Sequence, residues 1–136
     1  MDQTPFDVRA LLRRHQLDPH KGLGQNFLVD QKALRKIVDY AGLTPQESVL
    51  EIGAGLGSLT RMLVARAKRV VAVEIDQHLV PILQEVMNPY ANVEIVQGDI
   101  LKLNPAVLMK EEPYVVVANI PYFITSAIIR HLLAGS

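Results

Sequence analysis

Two stretches hold residues whose types and spacing can do chemistry. In the first, the apolar run Val115 to Ala118 ends abruptly in Asn119-Ile120-Pro121-Tyr122. That order suits the handling of an exocyclic amine. The Asn119 side-chain oxygen and the Ile120 backbone carbonyl can both accept hydrogen bonds from an NH2 group. Pro121 fixes φ near about −65° and has no N–H, which stiffens the turn. Tyr122 offers a flat face on which a base can stack. The same residues also fit an ordinary proline turn after a buried strand, with a core tyrosine. The second stretch is Glu51-Ile52-Gly53-Ala54-Gly55-Leu56-Gly57, where a nucleotide-type cofactor would be held.

Glycines at a strand-to-helix turn let the backbone approach a ligand closely. The dinucleotide fingerprint is G-x-G-x-x-G, with a pyrophosphate on the helix N-terminus. Here the third glycine comes one residue early, and E-x-G-x-G-x-G instead resembles the loop of S-adenosylmethionine-dependent methyltransferases. Glu74 follows about two dozen residues after the loop begins, where an acidic side chain can bond two ribose hydroxyls; a solvated strand end is the other reading. Asp99 can accept from an adenine amine or cap the following helix. Asn26, in Gly24-Gln25-Asn26-Phe27-Leu28, reads locally as a polar turn entering a helix. Glu51, Lys68 and His78 suggest no partner and read as structural.

These residues need a scaffold, and the apolar pattern supplies one. Strands are expected at Ser48 to Ile52, Arg69 to Glu74, Val93 to Val96 and Tyr114 to Ala118. Helices are expected over Phe6 to His15, Asp30 to Tyr40, Leu59 to Ala67, Gln77 to Met87 and Ser126 to Leu133. A short helix or loop covers Asn104 to Met109. In the second helix Ala33, Leu34, Ile37, Val38 and Ala41 should face inward. This β-α alternation specifies an α/β fold: an open parallel, Rossmann-like sheet with helices on both faces. Ligands bind outside the carboxyl ends of such strands. The glycine loop, Glu74, Asp99 and Asn119 all fall at such ends.

With 49% hydrophobic and 21% charged residues, the 136-residue chain is a folding one, not a disordered one. It has no cysteine, which excludes disulfides and thiolate metal sites. Its four histidines lack metal-ligand spacing, so no metal is expected. No apolar run reaches membrane-spanning length and no signal-peptide pattern opens the chain, so a cytoplasmic location is expected. Net charge is zero, but residues 1–36 carry seven basic against four acidic side chains. That leading segment is either a phosphate-contacting arm or a solvated helix face.

Gly-Gln-Asn-Phe-Leu, Leu-Glu-Ile-Gly-x-Gly-x-Gly-x-Leu-Thr, Val-Glu-Ile-Asp, Gly-Asp-Ile-Leu and Asn-Ile-Pro-Tyr stand in this order, from Gly24 to Tyr122. Together they resemble the ribosomal RNA adenine N6-dimethyltransferases, nearest to the small-subunit (16S) branch, with the erythromycin-resistance 23S enzymes as close relatives. The resemblance implies S-adenosylmethionine as cofactor and ribosomal RNA, in the small subunit, as partner. It implies that Asn26 and Leu28 touch the cofactor and that Gly53 and Gly55 line its methionine part. Glu74 would hold the ribose, with Ile75 beside it, and Asp99 and Ile100 the adenine. Asn119 would hold cofactor and target amine, with Ile120 and Pro121 completing the catalytic turn; Tyr122 would stack on the target base and Phe123 add to that wall. The expected organisation is residues 1–29 as an N-terminal helix with a cofactor-gating, RNA-contacting segment, and residues 30–136 as a partial methyltransferase domain lacking its C-terminal strands and helical domain. In the strand order 3-2-1-4 the fourth strand becomes an edge through which the chain can self-associate. Alternatives are a cofactor-binding but idle fragment, an RNA-binding module, a 23S rRNA methyltransferase, and an oxidoreductase on the same fold.

Overall fold

A computed structural model of the chain describes residues 8–16 and 31–118. The element order is α1 (Val8–Arg14), α2 (Gln31–Ala41), β1 (Ser48–Ile52), α3 (Ser58–Val64), β2 (Arg69–Glu74), α4 (Val80–Met87), β3 (Val93–Gln97), α5 (Pro105–Leu108) and β4 (Tyr114–Ala118). A 3-10 turn over Ile100–Lys102 precedes α5. The four strands form one parallel sheet, as the apolar pattern implies, in the order β3-β2-β1-β4 that the family resemblance implies. Ile52 pairs with both Val73 and Ala118, and Glu74 with Gln97. This register brings the carboxyl ends of all four strands to one edge of the sheet.

The sheet is filled on both faces, which explains why β1 and β2 read as unbroken apolar runs. On one face Val49, Val70 and Val117 pack under Leu34 and Val38 of α2 and Leu59 and Leu63 of α3. Ala72 of β2 lies on that face too, under Leu83 and Met87 of α4. On the other, Leu50, Ile52, Val71 and Val73 pack with Ile100 and Met109. Leu11 and Leu12 of α1 join Leu56, Leu79 and Ile82, so this helix sits against the glycine loop and α4. Its seam is closed by Glu85, which takes Arg14 at 2.9 Å and His15 at 2.6 Å.

Three local expectations are corrected. In α2 the buried stripe is Leu34 and Val38 with Ile37 and Ala41 beside it, while Ala33 is exposed; Ala33 lies one position off the 3.6-residue stripe. The third helix stops at Val64, not Ala67. There the Asn92 amide donates to the carbonyls of Val64 at 2.9 Å and Ala67 at 3.2 Å, so a side chain from before β3 closes the helix end. The fourth helix begins at Val80, three residues after Gln77, with Pro81 in its first turn. Phe6, Asp30 and the expected helix from Ser126 to Leu133 lie outside the described residues.

Gly57 shows why the third glycine of the loop is needed. Its φ is +89°, and a Cβ there would lie 3.1 Å from Leu83 and 3.3 Å from Val86 and Met87. It therefore lets α3 start close against α4. Gly57→Ala is expected to cost about 2 kcal/mol, part from the left-handed backbone and part from crowding, read as a Tm lowered by several degrees.

Candidate cofactor site

The glycine loop is clamped to the end of β2 before any side chain acts. The N–H groups of Gly53 and Ala54 both donate to the Val73 carbonyl, at 3.0 and 3.2 Å. Gly53 and Gly55 have φ of +78° and +59°, conformations that few other residues adopt at low cost. The loop then enters α3 through Gly57, whose N–H donates to the Ala54 carbonyl at 3.0 Å.

Glu74 fixes the second connection. It is only 6% exposed, so the solvated-strand-end reading is set aside. Its Oε1 accepts from the Gly55 N–H at 2.7 Å and its Oε2 from the Asp76 N–H at 2.8 Å. One carboxylate thus ties the β1–α3 loop to the β2–α4 loop. Each oxygen has a second lone pair, so two acceptor positions remain after both amides are satisfied. That donor-acceptor balance fits a ligand presenting two adjacent hydroxyls, such as a ribose. Ile75 follows at 63% exposure, an apolar side chain beside the acid.

The end of β3 joins them. The Gly98 N–H donates to the Glu74 carbonyl at 3.0 Å. Asp99 Oδ1 accepts from the Leu101 N–H at 2.9 Å and caps the 3-10 turn. The capping reading is thus realised with one oxygen, and a carboxylate can accept at the other as well. The Ile100 side chain is 5% exposed and belongs to the core with Ile52 and Val73. Any contact it makes with a ligand is therefore through its backbone.

Gly53, Gly55, Glu74, Ile75, Asp99 and Ile100 are in this way brought to one edge of the sheet. Asn26, Leu28, Asn119, Ile120, Pro121, Tyr122 and Phe123 lie outside the described residues. Among the described residues no group of three or more His, Asp or Glu side chains is arranged to hold a metal ion. No described helix is long and apolar enough to cross a membrane.

The structural readings of Lys68 and His78 need partners added. The Lys68 ammonium lies 3.8 Å from Glu112, and His78 Nδ1 3.2 Å from Asp76 Oδ1. Glu51 is the larger miss. It is 1% exposed, and the Thr60 hydroxyl, itself fully buried, donates to its Oε1 at 2.5 Å. Burial pushes its carboxyl up to about 7; the Thr60 hydrogen bond works against that rise and the Glu74 charge adds to it. The available signal was an acid inside an otherwise apolar strand, which demands a buried partner.

The ribosomal RNA adenine dimethylase family profile matches residues 17–136. A ribosomal RNA small subunit methyltransferase A from Geobacillus sp. is 46% identical over 135 residues, covering 96% of this chain and 46% of its own length. The chain thus spans about half the length of the curated relatives it matches. Among solved structures, the 23S rRNA methyltransferase ErmE superposes with a TM-score of 0.72 at 41% identity, covering 80% of this chain and 43% of that one. A dimethyladenosine transferase from Plasmodium falciparum gives 0.65 at 33% identity, covering 77% and 37%.

Proposed function

The chain belongs to the ribosomal RNA adenine dimethylase family, and from that premise we propose that it forms the cofactor-binding part of an enzyme methylating adenine N6 in ribosomal RNA of the small subunit. The observation that carries this reading is Glu74. A buried carboxylate, held by two loop amides yet keeping two acceptor positions, stands at the strand end where a ribose is bound in such folds. S-adenosylmethionine, when bound, supplies a methyl group already activated by a sulfonium, so the protein need not activate it further.

The chain's own residues then have defined tasks. Glu74 holds the ribose, Asp99 and the Ile100 backbone the adenine, and Gly53 and Gly55 admit the methionine part, with Ile75, Asn26 and Leu28 completing the pocket. Asn119 and the Ile120 carbonyl accept hydrogen bonds from the target amine, favouring a tetrahedral nitrogen and stabilising charge that builds on it. Pro121 keeps that turn rigid, which supplies alignment. Tyr122 and Phe123 stack on an adenine taken out of its helix. Residues 1–29 act as the gating and RNA-contacting segment, with Arg9 and Arg13 exposed on α1 while Arg14 is engaged with Glu85. The setting is the cytoplasm, where small subunits mature.

The test is transfer of a labelled methyl from S-adenosylmethionine to isolated small and large ribosomal subunits, with digested nucleosides separated by mass. Methylated adenosine from the small subunit alone, lost in Asn119→Ala, is the expected result. Label on the large subunit favours the 23S reading. Cofactor binding without transfer to either subunit favours the idle-fragment reading.

β4 is an edge of the described sheet, and Val116 on it is 39% exposed. Ile37 and Tyr40 of α2 line a groove along it with Val116 and Val117. A second copy pairing through this strand is the proposed self-association. Light scattering after size exclusion should show mass rising above 15.1 kDa with concentration. Val116→Lys should restore the monomer, and a wild-type chain that stays monomeric throughout removes the idea.

A further inference from the structure

Glu51 and Glu74 are on the same face of the sheet, since Glu51 pairs with Ala72 and Glu74 follows two residues on. They are nevertheless treated differently by the fold. Glu74 spends its charge on two backbone amides. Glu51 has the Thr60 hydroxyl, a neutral donor on the helix that leaves the loop. Its strand neighbours are Ala72 and Val117, and the helix side chains over this face of the sheet include Leu34, Val38, Leu59 and Leu63. From β2 it faces Glu74, a like charge. The Glu51–Thr60 bond joins the strand entering the glycine loop to the helix leaving it.

We propose that Glu51 is a proton-linked positioning residue of the cofactor site, releasing its proton when a cationic ligand occupies the glycine loop and retaining it when the ligand there is neutral. The proposal rests on the cofactor reading above. Glu51 lies two residues before Gly53, inside a low-dielectric wall, so a positive charge at the loop acts on it with little screening. An adjacent cation favours the ionised carboxylate. The cationic substrate S-adenosylmethionine is then bound more tightly as pH rises. Its demethylated product S-adenosylhomocysteine, which has no sulfonium, lacks that gain. Glu51 would thus help the site to discharge product. Its carboxyl sits at about 7, within the pH range where such linkage is largest. The proton goes to solvent, and no other bond changes.

The test is calorimetric titration of both ligands into wild type and Glu51→Gln from about pH 6 to about pH 8, in two buffers of different ionisation enthalpy. Wild type should release a fraction of a proton on binding S-adenosylmethionine, and its preference for that ligand over the product should rise several-fold across the range. In Glu51→Gln the Glu51 contribution should vanish; titration of the ligands themselves persists in both chains and cancels in the comparison. Thr60→Val removes a bond that holds the carboxyl down and should move the wild-type profile to higher pH, a change that loss of packing alone does not produce. Equal proton release for both ligands, or a profile unchanged in Glu51→Gln and Thr60→Val, overturns the proposal and leaves the cofactor reading standing. Failure of the folded wild type to bind either ligand overturns both.

Discussion

Glu74→Ala is expected to weaken S-adenosylmethionine binding by about 100-fold and to lower stability by roughly 3 kcal/mol. The two losses share one origin. The Gly55 and Asp76 N–H groups, at 2.7 and 2.8 Å from the carboxylate, lose a charged acceptor at a position only 6% exposed. Leaving a buried donor unmet costs about 1–3 kcal/mol each before relaxation. The loop does not collapse outright, because Gly53 and Ala54 still bond the Val73 carbonyl. The affinity loss comes from the missing ribose acceptors and from a loop no longer held in register. Glu74→Gln separates these effects: one amide oxygen remains for one loop N–H, so stability should recover in part while affinity stays low. Calorimetry and thermal unfolding on the same preparations read both. Retained affinity in Glu74→Ala would remove Glu74 from the site.

Raising the pH from about 5 to about 8 should destabilise wild type relative to Glu51→Gln by up to about 3 kcal/mol. Glu51 has a carboxyl raised from 4.5 to about 7 by burial, opposed by its Thr60 hydrogen bond and assisted by Glu74. Between those values the folded chain keeps a proton that the unfolded chain has lost. The stabilisation is therefore fully present below about 4.5 and is lost as pH rises through about 7. Glutamine cannot titrate, so its chain lacks this slope. The measurement is urea unfolding of both chains at matched pH, with the difference in midpoint as readout. Parallel pH curves for the two chains would mean that Glu51 is not titrating in the folded state over this range.

The amino-acid sequence by itself determined the β-α order and the strand spans Ser48–Ile52, Arg69–Glu74 and Tyr114–Ala118. These depend on local apolar runs and on glycines that must turn the chain, and both are visible along a line of residues. The family could be named for a similar reason: five short motifs keep their order and spacing, and the match extends over residues 17–136. The tertiary structure decided what the polar side chains do. Strands buried on both faces are apolar throughout, so their pattern does not say which side Glu51 points to, and Thr60 could not be chosen as its partner from spacing. Glu74 was singled out for its place at a strand end, but its two amide bonds arise only when two loops meet there. Asp99 admitted two readings, and the backbone path through Leu101 realised the capping one. Arg14 and His15 met Glu85 across 70 residues of chain, a distance that only packing closes. Local propensity places the elements; hydrogen bonds between elements depend on positions that exist only once the core has formed.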